Sequence, residues 1–370
     1  MGVVAETPPN IRRRRALAAR RARRGRLLVV GLVLAGILIV VLVATRGKTG
    51  STAATRAGAS TPTGAFQGQL LIADRGNNRL LLVNAAKQIL WKYPGPGRPP
   101  PKGGFYFPDD AFFTHGGRGI ISNQEGNDTI VQIAYPSGRV TFRYGHPKVP
   151  GSSTGYLNQP DDAYLLKDGT VTVADAQNCR ILFLSGSARP LSQIGTSSCV
   201  HSPPQSIDYP NGDTPLPNGD FLVSEVNGSY IDEFRRNGKL VWSAKLPVVY
   251  PSDPQQLGPN RYLIADYAKP GGVFEFNRSG KILWFYRRRS GRGMLNHPSL
   301  AERLPNGLIG VNDDYRHRVV LIDPKRRRIV WQYGHTDRAG KQRGFLKIPD
   351  GFDLLRPGAS NPVPTHPQTG

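Results

Sequence analysis

Apolar residues fall along this chain in two ways. Leu27–Ala44 reads LLVVGLVLAGILIVVLVA, one unbroken run of eighteen uncharged residues, whereas after Gln69 the apolar runs are short and bounded by Gly, Pro, Asn and Asp. Runs of the second kind read as strands joined by turns. They also repeat. Ile72-Ala73-Asp74-Arg75-Gly76-Asn77-Asn78-Arg79-Leu80 aligns without gaps on Val173-Ala174-Asp175-Ala176-Gln177-Asn178-Cys179-Arg180-Ile181 and on Val311 to Val319, and looser copies start at Ile121, Val223 and Ile264. The third residues of the six copies, Asp74, Asn123, Asp175, Glu225, Asp266 and Asp313, stand 41 to 52 residues apart. Such a period marks a repeat architecture.

Each unit carries flanking signals. Ahead of the frame stands a Pro with acids close by, as in Pro108-Asp109-Asp110 and Pro160-Asp161-Asp162; behind it comes a strand with an aromatic end, as in Ile89-Leu90-Trp91-Lys92-Tyr93. Four short strands per unit make an antiparallel meander, the blade of a propeller. All four Trp occupy one repeat position, which points to packing between blades rather than to binding. The first unit lacks its Pro-Asp strand, and Ile348 to Leu355 after the sixth unit supplies it. A C-terminal strand completing the first blade leaves no open sheet edge. The fold expected is therefore all-β, a six-bladed β-propeller of four-stranded antiparallel blades over 69–355, followed by a disordered Pro-rich tail at 356–370.

As a helix, Leu27–Ala44 would be about 27 Å long, nearly the thickness of the hydrocarbon core. Nine Arg and one Glu precede it in residues 1–26. The positive-inside bias then keeps the N-terminus cytoplasmic and sends the rest outside. A cleaved signal peptide is the alternative, but the run exceeds an ordinary h-region and Val43-Ala44-Thr45 is a poor cleavage site. The expected organisation is a cytoplasmic basic segment (1–26), a single-pass transmembrane signal anchor in the cell membrane (27–45), a Gly/Ser/Thr/Ala linker (46–68) and the propeller outside.

The pattern Pro160-Asp161-Asp162-Ala163, Leu165-Leu166-Lys167-Asp168-Gly169, Val173-Ala174-Asp175, Asn178, Arg180-Ile181-Leu182 resembles an NHL repeat, over about 69–355, and the aromatic strand ends are similar to quinoprotein-like propeller repeats. The resemblance implies a six-bladed propeller of a kind that mostly binds proteins, peptides or RNA and includes a few enzymes; it does not fix a function.

Strand direction places the start of each first strand, the loop between second and third strands and the exit of the fourth on one face, the top, where the long connections lie. Asp109, Asp110, Asp161, Asp162, Asp253 and Asp350, with Asp213, should converge there on the central channel. Two readings stand: the acids hold Ca²⁺, which takes six to eight oxygens, or each orders its own turn after Pro. Asp74, Asp175, Asp266 and Asp313 read as structural, tying down loops through bonds to backbone. His115, His201 and His297 could approach the axis, yet no two His stand at metal-ligand spacing. No nucleophile motif, P-loop or dinucleotide fingerprint occurs.

The net charge is +23, and part of the surplus lies in top loops, at Arg287, Arg288, Arg292, Lys341 and Arg343. Outside a membrane, such a surface suits an anionic cell-wall polymer, a lipid head group or an acidic protein or peptide better than nucleic acid, and the alternative is an ordinary solvated face. The expected role is a binding or scaffold module for an anionic ligand or protein, with the membrane met through the anchor and no cofactor. The alternative is a Ca²⁺-dependent lyase or hydrolase with its site at the top of the channel. Cys179 and Cys199, at the top rim of the third unit, are expected to form a disulfide in an oxidising compartment.

Overall fold

The computed structural model describes residues 65–196, 198–357 and 363–364. The basic segment, the apolar run and nearly all of the linker lie outside the described residues, as does most of the tail. Among the described residues no helix is long and apolar enough to cross a membrane.

Six antiparallel sheets form the blades of a propeller, five of them built from four consecutive strands each. The third blade runs Pro160–Leu165, Val171–Asp175, Arg180–Leu184 and Pro190–Ile194 from axis to rim. The first is completed from the far end of the chain. Phe352–Arg356 lies antiparallel to Gln69–Asp74, with Ile72 opposite Phe352 and Leu70 opposite Leu354, and Ala73 exchanges backbone bonds with Asp350 and Gly351 just before that strand. Val363–Pro364 pairs with Leu355 and Arg356 outside it as a short fifth strand.

Burial explains why the sequence shows runs in some strands and alternation in others. Second and third strands, such as Arg79–Val83, are covered on both faces by neighbouring blades and are buried throughout, whereas the rim strand Ile89–Tyr93 buries only Trp91 and Tyr93. Those rim Trp residues join blades. The indole Nε1–H of Trp91 donates to Pro136 O at 2.8 Å, that of Trp331 to Ala85 O at 3.0 Å and that of Trp284 to Pro324 O at 3.3 Å, each on the next blade. Trp242 departs from this rule and donates to Glu233 of its own blade. The folded part also begins before Gln69, because Phe66, assigned by sequence to the linker, packs edge-on against Trp331 at 5.3 Å.

The last residue of each second strand holds the segment leading into its own blade. Asp74, Asp175 and Asp313 accept from the backbone N–H of Lys347, Asn158 and Asn296, Asp266 accepts from Val249 and Tyr250, and Glu225 accepts from Asp208. In the second blade the register puts Gln124, not Asn123, at this place, with Tyr106 N donating to its Oε1. The alignment of Asn123 is thus corrected by one residue. Asn123 instead accepts from Asp110 N and donates to Pro160 O and Asp161 O, stitching the second blade to the third at the axis.

In three blades the same carboxylate also pairs with an Arg five residues on: Asp74 with Arg79, Asp175 with Arg180 and Asp313 with Arg318. The guanidinium groups then donate to carbonyls of the preceding long loop, Arg79 to Lys341 and Phe345, Arg318 to Arg292 and Met294. The long top loops are therefore fixed to the scaffold rather than free.

Candidate functional site

The first strand of each blade lines the axis, and the residue after its leading Pro faces inward. This forms a layer of Asp109, Asp161, Asn211, Ser252, Ser299 and Asp350, beneath which Asp110, Asp162 and Asp253 make a second layer. All seven acids expected at the channel are buried, Asp213 lying close enough to Asp162 to feel its charge. The second layer is tight enough to dictate glycine in the adjacent blade. A Cβ on Gly351 would fall 2.1 Å from Asp110 Oδ1, and one on Gly212 would fall 2.9 Å from Asp253 Oδ1.

One cation sits among these acids, and it is intrinsic. Arg75, the first residue after the second strand of blade one, points its guanidinium to the axis, 2.9 Å from Asp109 Oδ1 and in contact with Glu125 and Asp350, while lying 4.3 Å over the ring of Phe107. Burial opposes its charge, but the fields of Asp109, Asp350 and Glu125 outweigh that and raise its pKa. The other acids are pushed toward their protonated forms. Burial first, then the charges of Asp253, Asp162 and Asp350, push Asp110 well above the usual carboxylate range; burial raises Asp161 to about 6 and Asp162 to about 7. Arg75 and these upward shifts together reduce the negative charge of the channel.

Chain geometry supplies a rule that the sequence reading missed. The residue following the second strand lines the channel mouth in each blade: Arg75, Glu125, Ala176, Val226, Tyr267 and Asp314. The mouth is charged on one side and apolar on the other. At the fifth and sixth blades it carries a chain of rings, Tyr250 to Tyr267 at 5.1 Å, Tyr267 to His297 at 4.9 Å and His297 to Tyr315 at 4.8 Å, ending on Tyr315 at 46% exposure. Burial, reinforced by Lys269, lowers the His297 pKa to about 4, so its ring is neutral at pH 7.

The basic residues expected at the site lie outside the channel. Arg287 donates to Pro270 O, and Arg288 reaches along the wall to Arg327 O at 2.9 Å. Arg292, Lys341 and Arg343 are exposed on the two long loops flanking Tyr315. Those loops meet its turn directly: Tyr315 N donates to Asn296 O, and Arg316 binds Asp337 through two bonds of 3.0 and 2.8 Å. His115 does not approach the axis: it is exposed in the turn between the first two strands of blade two, on the face opposite the mouth.

Cys179 and Cys199 are bonded, with Cα atoms 5.3 Å apart. Asn78, Asp128 and His317, which stand where Cys179 stands in other blades, accept a backbone N–H from the next blade's leading segment. In the third blade the covalent bond ties down that connection. Two residues beyond it lies His201, which meets Glu225 and Asp232. Among the described residues this is the one set of three His, Cys, Asp or Glu side chains whose ligand atoms all lie within 4.8 Å of one another. Burial, followed by the neighbouring Asp232 carboxylate, pushes Glu225 up to about 10.

No family model matches the chain, and no curated protein matches it. Solved structures do. A Bacteroides caccae protein of unknown function superposes with a TM-score of 0.55 at 18% identity, covering 78% of this chain and 98% of that one. A chain of the nidogen/laminin complex superposes with a TM-score of 0.53 at 12% identity, covering 77% of this chain and 97% of that one. At these identities the likeness concerns the fold, a six-bladed propeller, and nothing further.

Proposed function

We propose that this chain is a membrane-anchored propeller of the NHL type that binds an anionic ligand outside the cell on its top face. The observation that carries the reading is the ring chain Tyr250–Tyr267–His297–Tyr315 at the channel mouth, open to solvent at Tyr315 and flanked by the long loops bearing Arg292, Arg338, Lys341 and Arg343. The exposed face of Tyr315 beside Arg and Lys suits a ligand that offers aliphatic surface between repeated negative charges, such as a cell-wall polymer or an acidic segment of a protein. The loops are held by buried Arg residues, so little ordering opposes binding. The apolar run Leu27–Ala44 supplies the anchor in this reading, with the Arg-rich segment inside.

Calcium-dependent catalysis in the channel has less to support it. Arg75 occupies the position among Asp109, Glu125 and Asp350 that a cation would need. The binding reading is tested by titrating the full-length chain in detergent micelles into fluorescently labelled poly(glycerol phosphate) and poly-L-glutamate. Saturable binding to at least one, weakening as salt rises, is the expected result. No saturable binding to either refutes the reading.

A further inference from the structure

The fourth blade carries a buried acid that the other five lack at the same position. Its second strand, Phe221–Glu225, ends in the usual acid, but the residue opposite Glu225 is Tyr230, where Arg79, Arg180 and Arg318 stand in blades one, three and six. Two residues further along the third strand is Asp232, opposite Val223. In the other blades the same register position holds Leu81, Val131, Leu182, Phe274 and Val320. Five apolar residues show what the packing favours there. Asp232 is fully buried, and neither of its oxygens accepts a hydrogen bond from an N–H or hydroxyl donor; its neighbour is the second acid, Glu225. An acid placed where the fold elsewhere puts a hydrocarbon is costly unless something positive reaches it.

What reaches it comes from the loop ahead of the blade. His201 stacks on Tyr230 with centroids 3.5 Å apart and planes 10° from parallel. Its Nδ1 lies 3.1 Å from Glu225 Oε1 and 3.9 Å from Asp232 Oδ2. We propose that His201, Glu225 and Asp232 form a binding site for one divalent ion of the zinc class, with a further coordination position open to solvent.

The ligand set argues for that class. One imidazole nitrogen and two carboxylates match the donors of open zinc sites, whereas calcium would require more oxygens. Bonds of 2.0–2.2 Å in tetrahedral array place ligand atoms roughly 3.4 Å apart, between the two distances that His201 makes. The His201 side chain is 22% exposed while both carboxylates are fully buried, so the open position lies on the His201 side. The site is also rigid. The Cys179–Cys199 bond anchors the loop two residues before His201, Ser206 Oγ donates to Val200 O at 2.8 Å, and Asp208 N fixes the second oxygen of Glu225. A protonated His201 standing in for the missing Arg is the simpler account. In that account the Glu225 and Asp232 carboxyls share a proton and one charge remains for the imidazolium to balance, so metal stoichiometry decides between the two.

The test uses the full-length chain, stripped with chelator and titrated with Zn²⁺ against a chromophoric competitor, with Co²⁺ absorption as an independent report of coordination geometry. One ion per chain is expected. Asp232→Leu introduces the residue that blades one and three already carry, so it should fold and bind at least about 100-fold more weakly; His201→Gln, at a half-open position, should do the same. Circular dichroism checks that both variants fold. Absence of stoichiometric Zn²⁺ binding by the wild-type chain, or binding that survives in both folded variants, overturns the proposal and leaves an ion pair only.

Discussion

The seam that closes the ring is the most demanding point of the fold, and Phe352 measures it. Phe352 sits in the C-terminal strand opposite Ile72, is fully buried, and covers Gly310 of the sixth blade so closely that a Cβ there would fall 2.5 Å from its Cζ. It therefore packs the last blade against the first. Phe352→Ala removes a ring at a place where strands on both sides are held by backbone ladders and cannot collapse into the space, so the loss should be about 3–5 kcal/mol. That is a large part of the 5–15 kcal/mol typical of a domain. Urea unfolding followed by tryptophan emission reports it directly, because Trp331 spans the same seam through Ala85 O. Leu283→Ala, at 48% exposure on a rim strand, is the control and should change stability by less than about 0.5 kcal/mol. A loss below about 1 kcal/mol for Phe352→Ala with an unchanged denaturant slope would refute the reasoning. Truncation before Ile348 is the extreme case: it also removes the buried Leu354 and Leu355, each worth about 1.5–3 kcal/mol, and should abolish cooperative unfolding.

Other outcomes follow from the channel, the disulfide and the N-terminal run. Asp162 has its pKa raised by burial to about 7, so between pH 4 and 7 the folded chain keeps a proton that the unfolded chain gives up; its contribution to stability is full below the unfolded pKa and is lost as pH rises through 7. Asp162→Asn should gain stability relative to wild type over that window in urea melts at stepped pH, and a constant difference would contradict this. Replacing both Cys179 and Cys199 with Ser should cost about 3 kcal/mol for a loop of 20 residues, read as a lower denaturation midpoint; an unchanged midpoint argues against the chain-entropy account. Protease added to spheroplasts should digest the propeller and spare residues 1–26, and a protected C-terminus would reverse the topology.

Fold and site were legible to different depths. Asp74-Arg75-Gly76-Asn77-Asn78-Arg79 and its close copies announce themselves because each performs several local tasks at once: the acid holds a backbone N–H, the Asn and the Arg hold the acid, and the Arg holds a loop. The missing strand of blade one was visible because Pro349-Asp350 retains the same signal at the far end of the chain. The channel acids were placed for the same reason. Blade two lacks the acid and the Arg, so Asn123 was taken for Gln124, a slip that only the strand register exposes. Arg75 carries no signal of its own, because nothing in a sequence shows that the turn aims it at the axis. His201, Glu225 and Asp232 stayed hidden because Asp232 is remarkable only against Leu81, Val131, Leu182, Phe274 and Val320, and that comparison needs the register.

The claim that the top face is a ligand platform is tested most directly by binding isotherms for the wild-type chain, Tyr315→Ala and the double variant Lys341→Ser/Arg343→Ser, with labelled poly(glycerol phosphate) and poly-L-glutamate at low and high salt. Tyr315 is exposed at the end of its ring chain, and Lys341 and Arg343 are exposed on a loop held by Arg79, so none of the substitutions should disturb the fold. The account predicts that Tyr315→Ala weakens binding by about tenfold at both salt concentrations and that the double variant weakens it chiefly at low salt. Isotherms that superimpose for all three proteins would contradict it.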